Sequence, residues 1–304
     1  MNKLKNFLIV FLIISEFQYS KCYKWISLKS GDKLPENAVS IAGSDSKYVG
    51  RTKYLNTMQL AEISTGSYRD SVEHATLILY SSKIVRHQFE VLVATGKCEW
   101  IFFDKNHIPE NIVRGGTSWN LEPVFVGREL GSIVSIFVTL NKKQSFPQYP
   151  YPVSNSPFYN LEVLICDSNH KWIDATSSSV PENSIRIGND DGYVARLLGP
   201  NLHVPGIVYP KSNQTSIWYK NNKLESFNIE VLVGEPKQYK WKNMKPKTGI
   251  PENAVVCGVS DNQELTYIAK TCDIYGEIKV FPITFSETNY IDGIFKILVD
   301  TINT

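Results

Sequence analysis

The stretch from Trp25 to Arg51 decides the fold of this 304-residue chain, and it reads WISLKSGDKLPENAVSIAGSDSKYVGR. It begins with a tryptophan, reaches the triplet Pro-Glu-Asn at residue 35 and ends in Val-Gly-Arg. The same anchors return in the same order in three further units. The tryptophans are Trp25, Trp100, Trp172 and Trp241, the Pro-Glu-Asn prolines are Pro35, Pro109, Pro181 and Pro251, and the closing basic residues are Arg51, Arg128, Arg196 and Lys270. This spacing of about 70 residues predicts four tandem repeats.

Each repeat ends in a short apolar segment: FEVLV at 89–93, LEVLI at 161–165, IEVLV at 229–233 and FKILV at 295–299. A charged residue set among β-branched and aromatic neighbours is the period-two pattern of a half-buried strand. After residue 22 the sequence has no long apolar stripe at helical spacing. The sequence therefore predicts an all-β fold.

The Pro-Glu-Asn triplet predicts a turn, because proline presets φ for its first corner and asparagine tolerates the left-handed conformation at its end. The tryptophan-led strand is therefore predicted to form a hairpin with the segment after the triplet. A single repeat is near the lower size limit for burying its own core. We therefore expect two paired-repeat modules, 23–166 with repeats one and two, and 167–304 with repeats three and four. Residues 141–157, rich in proline, are predicted to form a surface loop.

The N-terminus has the pattern of a secretory signal, with Lys3 and Lys5 before the apolar run FLIVFLII at 7–14. Small residues at Ser20 and Cys22 predict cleavage after Cys22, hence a signal peptide at 1–22 and a secreted protein. The removal takes three of the 32 basic and one of the 30 acidic residues, so that 29 of each remain. With no net charge and no basic run, neither nucleic acid nor a membrane span is expected.

Four cysteines remain, and in an oxidising compartment they allow three pairings. We favour Cys98–Cys166 and Cys257–Cys272, because each pair then lies within one half of the chain. The cysteines and histidines show no spacing typical of a metal site, and no cofactor is expected. Asn213-Gln-Thr is the one N-glycosylation sequon, which predicts a glycoprotein modified at Asn213.

The order of anchors resembles the DM-nine repeat family, whose members include mannose-binding lectins of invertebrate immunity. The resemblance covers the whole chain after the signal. It implies a β-rich fold with repeats related by a pseudo-twofold axis, and binding of glycans or glycoproteins without metal or catalysis. The sequence leaves a homodimer open.

In the lectin members, an aspartate after the glycine of the hairpin and a lysine in the next turn contact sugar hydroxyls. Charge-assisted hydrogen bonds suit this task, because they hold vicinal hydroxyls against competition from water. Carried over to this sequence, repeat three has Asp190 at the acid position and Ile207 at the lysine position. Repeat one has Asp45 displaced by about one residue, and Glu62 at the lysine position.

In repeat two these positions hold Ser118 and Thr139, and in repeat four Ser260 has Asp261 beside it. Lys279 lies about two residues from the lysine position of repeat four. Trp119, on the tip GGTSWN at 115–120, can act as a flat platform for a pyranose ring, whereas Trp218 is expected in the core. The candidate sugar-binding residues are therefore Asp45, Trp119, Asp190, Asp261 and Lys279.

Enzyme function finds little support, because the five histidines are scattered and the sequence has no nucleophile elbow or phosphate-binding loop. No catalytic residue is assigned. The alternative to a lectin is a secreted interaction protein, such as a venom, salivary or cuticle component, that binds a protein partner. Departures from the family's sugar-binding positions favour that alternative.

Overall fold

The computed structural model describes residues 22–41, 46–66, 71–79, 82–103, 108–117, 122–129, 132–137, 161–167, 171–188, 191–199, 203–219, 222–224, 228–245, 248–260, 264–272, 278–284 and 295–301. The predicted signal peptide, apart from its last residue, and the predicted loop at 141–157 lie outside these ranges. The protein is all-β, and the described residues contain no α-helix. Two single-turn 3-10 helices, Pro210–Ser212 and Pro236–Gln238, connect strands.

Each repeat forms one antiparallel sheet. Repeat one contains β1 (Tyr23–Lys29), β2 (Lys47–Tyr54), β3 (Thr57–Thr65), β4 (Val72–Leu79), β5 (Ser82–Arg86) and β6 (Gln88–Ala94). Repeat two contains β7 (Cys98–Phe102), β8 (Arg114–Thr117), β9 (Pro123–Glu129), β10 (Ser132–Phe137) and β11 (Leu161–Cys166). The strand orders are β1-β6-β2-β3-β4-β5 and β7-β11-β9-β10, with β8 also paired to β9.

The second half of the chain repeats this topology. Repeat three contains β12 (Lys171–Ala175), β13 (Tyr193–Leu198), β14 (His203–Tyr209), β15 (Gln214–Tyr219), β16 (Asn222–Leu224) and β17 (Ile229–Val233). Repeat four contains β18 (Tyr239–Met244), β19 (Val256–Val259), β20 (Leu265–Cys272), β21 (Ile278–Ile283) and β22 (Phe295–Asp300). The orders are β12-β17-β13-β14-β15-β16 and β18-β22-β20, with β20 paired to both β19 and β21. Corresponding strands therefore have the same neighbours in the two halves.

The predicted hairpin between the tryptophan strand and the segment after Pro-Glu-Asn is wrong. Trp25 pairs with Leu92 of the closing strand, and the other three tryptophans pair in the same way with their own closing strands. The turn itself forms, since the Ala38 N–H donates to the Pro35 carbonyl at 3.1 Å. Beyond the turn, the Val39 N–H donates to the Leu92 carbonyl. The closing strand is the most apolar of the repeat, and it takes the buried position between β1 and β2.

Apolar side chains form cores within and between the sheets. Repeats one and two share a cluster that includes Leu60, Leu92, Val124 and Leu164, and repeats three and four share the corresponding cluster with Ile207, Leu232, Ile268 and Leu298. A third cluster joins repeats two and four. Its members include Phe125, Leu161 and Val163 from repeat two, and Tyr267, Phe295 and Ile297 from repeat four. The two halves therefore share a core, and the predicted module boundary at residue 166 stays a prediction.

The structure forms one of the two predicted disulfides. Cys98 and Cys166 lie directly opposite each other on β7 and β11, with their Cα atoms 4.0 Å apart. The predicted bridge Cys257–Cys272 is not formed, and both residues are free thiols. On the paired strands β19 and β20, Val256 lies opposite Tyr267, five residues before Cys272. Five residues of strand span about 16 Å, whereas a disulfide requires Cα atoms within about 7 Å.

Candidate binding site

Four of the five predicted sugar-binding residues lie outside the described residues. These are Asp45, Trp119, Asp190 and Asp261. Lys279 is described, and it lies on β21 opposite Thr271 of β20. Because Lys270 pairs with Val280 and Arg196 pairs with Pro205, Lys279 corresponds to Val204 of repeat three. That is three residues from Ile207, so Lys279 lies on the opposite face of its strand from the family's lysine position.

Lys279 meets an aromatic ring at the seam between repeats three and four. Its Nζ lies 5.7 Å from the ring centroid of Trp218 on β15, within the range of a cation–π contact. Trp218 is half-buried rather than in the core, and its Nε1 donates to Ser216 Oγ at 3.1 Å. The expectation of a core position for Trp218 is wrong, since it lies on the outer strands of its sheet, where the partner sheet covers only part of the ring.

An ion pair lies at the tip of repeat one, where β2 begins and β3 ends. Lys47 Nζ is 3.0 Å from Oε2 of Glu62, the residue at the family's lysine position. The Glu62 side chain is only 11% exposed, whereas that of Lys47 is 43% exposed. The pair follows directly after the tip that carries Asp45 in the sequence. Repeat one thus places a carboxylate and an ammonium group together. Compared with the family pattern the charges are exchanged, because the carboxylate occupies the lysine position.

A second ion pair lies at the matching end of repeat three. Lys211 Nζ is 2.7 Å from Oδ2 of Asp191, which directly follows Asp190. The hydrogen bond from Lys211 lowers the pKa of the Asp191 carboxyl below its ordinary value, with further help from the charges of Lys211 and Arg186. The contact with Lys211 therefore favours the ionised form of Asp191. Sequence reasoning passed over Lys211, because it follows β14 and belongs to no repeat anchor.

The repeated tryptophans and basic residues form one stack per repeat. The guanidinium carbons of Arg51, Arg128 and Arg196 lie 4.3–4.5 Å from the ring centroids of Trp25, Trp100 and Trp172, and Lys270 Nζ lies 4.2 Å from that of Trp241. In the first three repeats the arginine Nε also donates to the glutamate of the closing strand, at 2.5–2.7 Å. The side chains of these stacks are partly buried, and their charged groups already bind partners within the protein. We therefore interpret the stacks as structural and not as ligand-binding.

A family model for the DM9 repeat matches residues 42–151 and 189–278, about two thirds of the chain. The chain belongs to the DM9 repeat family. The four stacks therefore lie within, or next to, the DM9 repeats. Among solved structures, the nematode sperm cell motility protein MFP2B is 12% identical, with a TM-score of 0.30 and coverage of 93% of this chain and 95% of that chain. A likeness of that size supports no conclusion about this chain. No curated protein matches the sequence.

The basic residues of the stacks also join different DM9 repeats. Arg128 Nη1 of repeat two donates to the Ile41 carbonyl of repeat one at 2.6 Å, and Lys270 Nζ of repeat four donates to the Ile187 carbonyl of repeat three at 2.5 Å. Arg114 in repeat two donates to the carbonyls of Ile250 and Pro251 in repeat four, at 2.8 and 2.7 Å. The arrangement fixes the relative positions of the tips that carry the ion pairs.

Other kinds of site were sought in the described part of the chain. There, no group of three or more His, Cys, Asp and Glu side chains is placed to hold a metal ion. Within the same ranges, no helix is both long and apolar enough to cross a bilayer.

Proposed function

We propose that this DM9 repeat protein is a secreted, mannose-type carbohydrate-binding protein that acts without metal, cofactor or catalysis. The observation that carries the proposal is the acid–base pair at the tip of each six-stranded sheet, Lys47–Glu62 and Asp191–Lys211. In the sequence, Lys47 and Asp191 closely follow Asp45 and Asp190, the acids that the family resemblance assigns to sugar binding. Family membership supports the lectin class, and the two pairs are groups that can bind sugar hydroxyls.

The chemistry follows from what each group can offer a sugar. A carboxylate accepts two hydrogen bonds from vicinal hydroxyls, and an ammonium group donates to the hydroxyl or ring oxygens. Both groups are held in place by their mutual contact, which lowers the entropy lost on binding. A single exposed site of this kind binds a monosaccharide with a Kd of about 1 mM. Several tips on one chain raise the apparent affinity for a multivalent glycan surface.

The test is binding of the intact protein to immobilised mannan and to a glycan array in the presence of EDTA. We expect monosaccharide-competable binding that the double variant Glu62→Gln and Asp191→Asn weakens at least about tenfold. Adding Asp45→Asn, Asp190→Asn and Asp261→Asn should abolish it. The matched control is Glu182→Gln, an exposed carboxylate that belongs to neither ion pair. A folded five-site variant that binds mannan like the wild type would exclude the proposed sites.

The seam at Trp218 and Lys279 is a further part of the proposal. An indole face and an ammonium group can hold the apolar face and a hydroxyl of one pyranose ring. Trp218→Leu should reduce mannan binding partly and leave the tips intact. Because the chain has six tryptophans, the part of the fluorescence change on titration with free mannose that Trp218→Leu removes reports this site.

A protein partner is the second candidate, and one observation favours it. Phe102, on the edge strand β7, is 72% exposed, and aromatic side chains are enriched at protein–protein interfaces. A blank glycan array, together with a partner whose binding is lost in Phe102→Ser, would establish this function in place of the lectin.

Secretion and glycosylation belong to the same proposal. Asn213 is exposed at the end of a 3-10 helix, and Ser177 Oγ donates to its Oδ1 at 2.5 Å. The amide is therefore accessible to a glycosyltransferase. Expression in insect cells should release the protein to the medium with a mass that falls after treatment with peptide-N-glycosidase F. Asn213→Gln should remove this mass difference.

A further inference from the structure

A groove crosses the outer end of the repeat-one sheet. Its lining includes Ser27 and Lys29 of β1, Gln88 of β6, Arg51 and Lys53 of β2, and Met58 of β3. We call it the basic groove. It lies on the face that carries Trp25, Leu92 and Leu60, at the end of the sheet beyond the core shared with repeat two. It is distinct from the tips, because β2 begins at the tip and reaches the groove near its end.

Strand register places the two lysines on either side of Gln88. Lys29 pairs directly with Gln88, and Arg51 pairs with Glu90, so Lys53 lies beside Gln88 on the other flank. The Thr52 hydroxyl donates to the Gln88 carbonyl at 2.9 Å, which fixes this alignment. With strands about 4.8 Å apart, the Cα atoms of Lys29 and Lys53 are about 10 Å apart.

Some of the charged groups in the groove already have partners within the protein, and others do not. Arg51 is occupied by Glu90, Glu252 and the ring of Trp25. The lining also contains two carboxylates: Glu90, which Arg51 holds, and Asp32, which accepts the backbone N–H of Lys29 at 2.8 Å and keeps its negative charge. By contrast, the ammonium groups of Lys29 and Lys53 form no ion pair with the described residues, and both side chains are exposed. The groove thus offers two ammonium groups, with an amide between them.

The equivalent strands of repeat three have no such row. The residues equivalent to Lys29, Gln88 and Lys53 are Thr176, Asn228 and Leu198, as the pairing of the two sheets shows. The architecture therefore does not require lysines at these positions. The residues of repeat three also show which side chains the equivalent positions tolerate in place of the lysines.

We propose that the basic groove binds an anionic saccharide, a sugar unit that carries a sulfate ester or a carboxylate. Two ammonium groups on residues whose Cα atoms lie about 10 Å apart can hold two anionic groups on neighbouring sugar units, or the two sides of one unit. The Gln88 amide and the Ser27 hydroxyl can hydrogen-bond to sugar hydroxyls between them. The aromatic residue in the lining, Phe89, is 5% exposed, so the groove offers no ring on which a nucleobase could stack.

The test compares dextran sulfate, alginate and neutral dextran on the intact protein by biolayer interferometry. We expect the wild type to bind the two acidic polymers and not neutral dextran, with affinity that falls as salt rises. Lys29→Thr with Lys53→Leu, the residues of the second half, should weaken this binding at least about tenfold and leave mannan binding unchanged. Lys29→Arg with Lys53→Arg should retain it. The matched control is Lys24→Thr with Lys83→Leu, which removes two exposed lysines outside the groove.

Each outcome decides the proposal. Binding to dextran sulfate but not alginate identifies sulfate as the anionic group, and the converse identifies the carboxylate. The proposal is overturned if the Lys29→Thr and Lys53→Leu variant binds the acidic polymers like the wild type and has the same unfolding midpoint. An equal loss in the control variant overturns it as well, since the effect would then depend on total charge. Stronger binding of single-stranded DNA than of dextran sulfate assigns the groove to nucleic acid and also overturns it.

Discussion

Arg196 and Glu110 form an ion pair across the two halves of the chain, with Arg196 Nη1 2.9 Å from Glu110 Oε2. Arg196 belongs to repeat three and Glu110 to the Pro-Glu-Asn turn of repeat two. The same contact recurs between Arg51 of repeat one and Glu252 of repeat four. The operation that maps the first half of the chain onto the second also maps one of these ion pairs onto the other. They therefore act together with the shared core of repeats two and four.

The first prediction concerns the Arg196 ion pair. The Arg196 side chain is 8% exposed and also holds Glu230 at 2.7 Å. Arg196→Ala leaves two partly buried carboxylates without this cation and removes the stack on Trp172. We expect the free energy of unfolding to fall by about 3 kcal/mol. Urea unfolding followed by tryptophan fluorescence measures it.

The control for this prediction is Lys211→Ala, which breaks an exposed ion pair. Such pairs contribute at most about 1 kcal/mol, so its unfolding midpoint should stay close to that of the wild type. Equal losses in the two variants would show that the Arg196 pair is no stronger than a surface contact.

The second prediction concerns acid stability through Glu110. Burial would raise the pKa of Glu110, but the hydrogen bond from His203 and the charge of Arg196 outweigh burial and hold it below the ordinary value of 4.5. His203 Nδ1 lies 2.6 Å from Glu110 Oε1, and it must be the donor because an ionised carboxylate only accepts. A lowered carboxyl pKa stabilises the fold above the ordinary value, and this stabilisation is lost as the pH falls through the folded-state pKa.

Glu110→Gln should therefore lower the urea midpoint at pH 7 and flatten its decline as the pH falls below 4.5, the ordinary pKa of a glutamate. Glu182, the corresponding glutamate of repeat three, is exposed, so Glu182→Gln should follow the wild-type curve at every pH. Parallel curves for Glu110→Gln and the wild type would rule out this role of Glu110.

Much of the fold could be predicted from the repeats, because the anchors recur and alternation specifies strands. The pairing of the tryptophan strand could not be, since a turn signal shows where the chain reverses but not which strand becomes its neighbour. The glutamates of Pro-Glu-Asn show a second limit. All four repeats have one, yet Glu110 and Glu252 form pairs across the halves, whereas Glu36 and Glu182 form no ion pair with the described residues. Position relative to the pseudo-twofold axis decides this, and no local pattern encodes it.

The candidate site was less accessible to sequence reasoning. Lys279 was selected for its distance along the chain, but the register places it three residues from the lysine position of the family and beside Trp218. The sequence does not predict the ion pairs Lys47–Glu62 and Asp191–Lys211, because the two members of each pair come from different strands or connections. A search for opposite charges near the two ends of a predicted hairpin is the signal that could have found them.

The third prediction concerns the thiols. Cys257 is fully buried, and burial raises the pKa of its thiol, so little reactive thiolate forms. Cys272 is exposed. In the native protein, iodoacetamide should modify Cys272 rapidly and Cys257 only after unfolding. Peptide mass mapping measures both modification rates and should find the Cys98–Cys166 bridge. A disulfide-linked Cys257–Cys272 peptide would contradict the register of β19 and β20.

The shared core makes a prediction about the isolated first half. In the fragment 23–166, the side chains of Phe125, Leu161 and Val163 lose their repeat-four partners, and Glu110 loses Arg196. A second copy of the fragment presents the matching apolar surface, since Phe125 and Tyr267 occupy equivalent strand positions. It also presents Arg51, the equivalent of Arg196. Two copies related by a twofold axis can therefore re-form both ion pairs as Arg51–Glu110.

We accordingly expect the fragment 23–166 to form a homodimer with about the mass of the full chain, measured by size-exclusion chromatography with light scattering. Fully burying three large apolar side chains per copy contributes several kcal/mol, enough for a dimer at micromolar concentration. Phe125→Asp should abolish the dimer, because a carboxylate would be buried at the centre of the apolar contact. Glu110→Arg should weaken it, because the new arginine would face Arg51 of the other copy. A stable, folded monomer of the fragment would instead show that repeats one and two form the independent module that the sequence predicted.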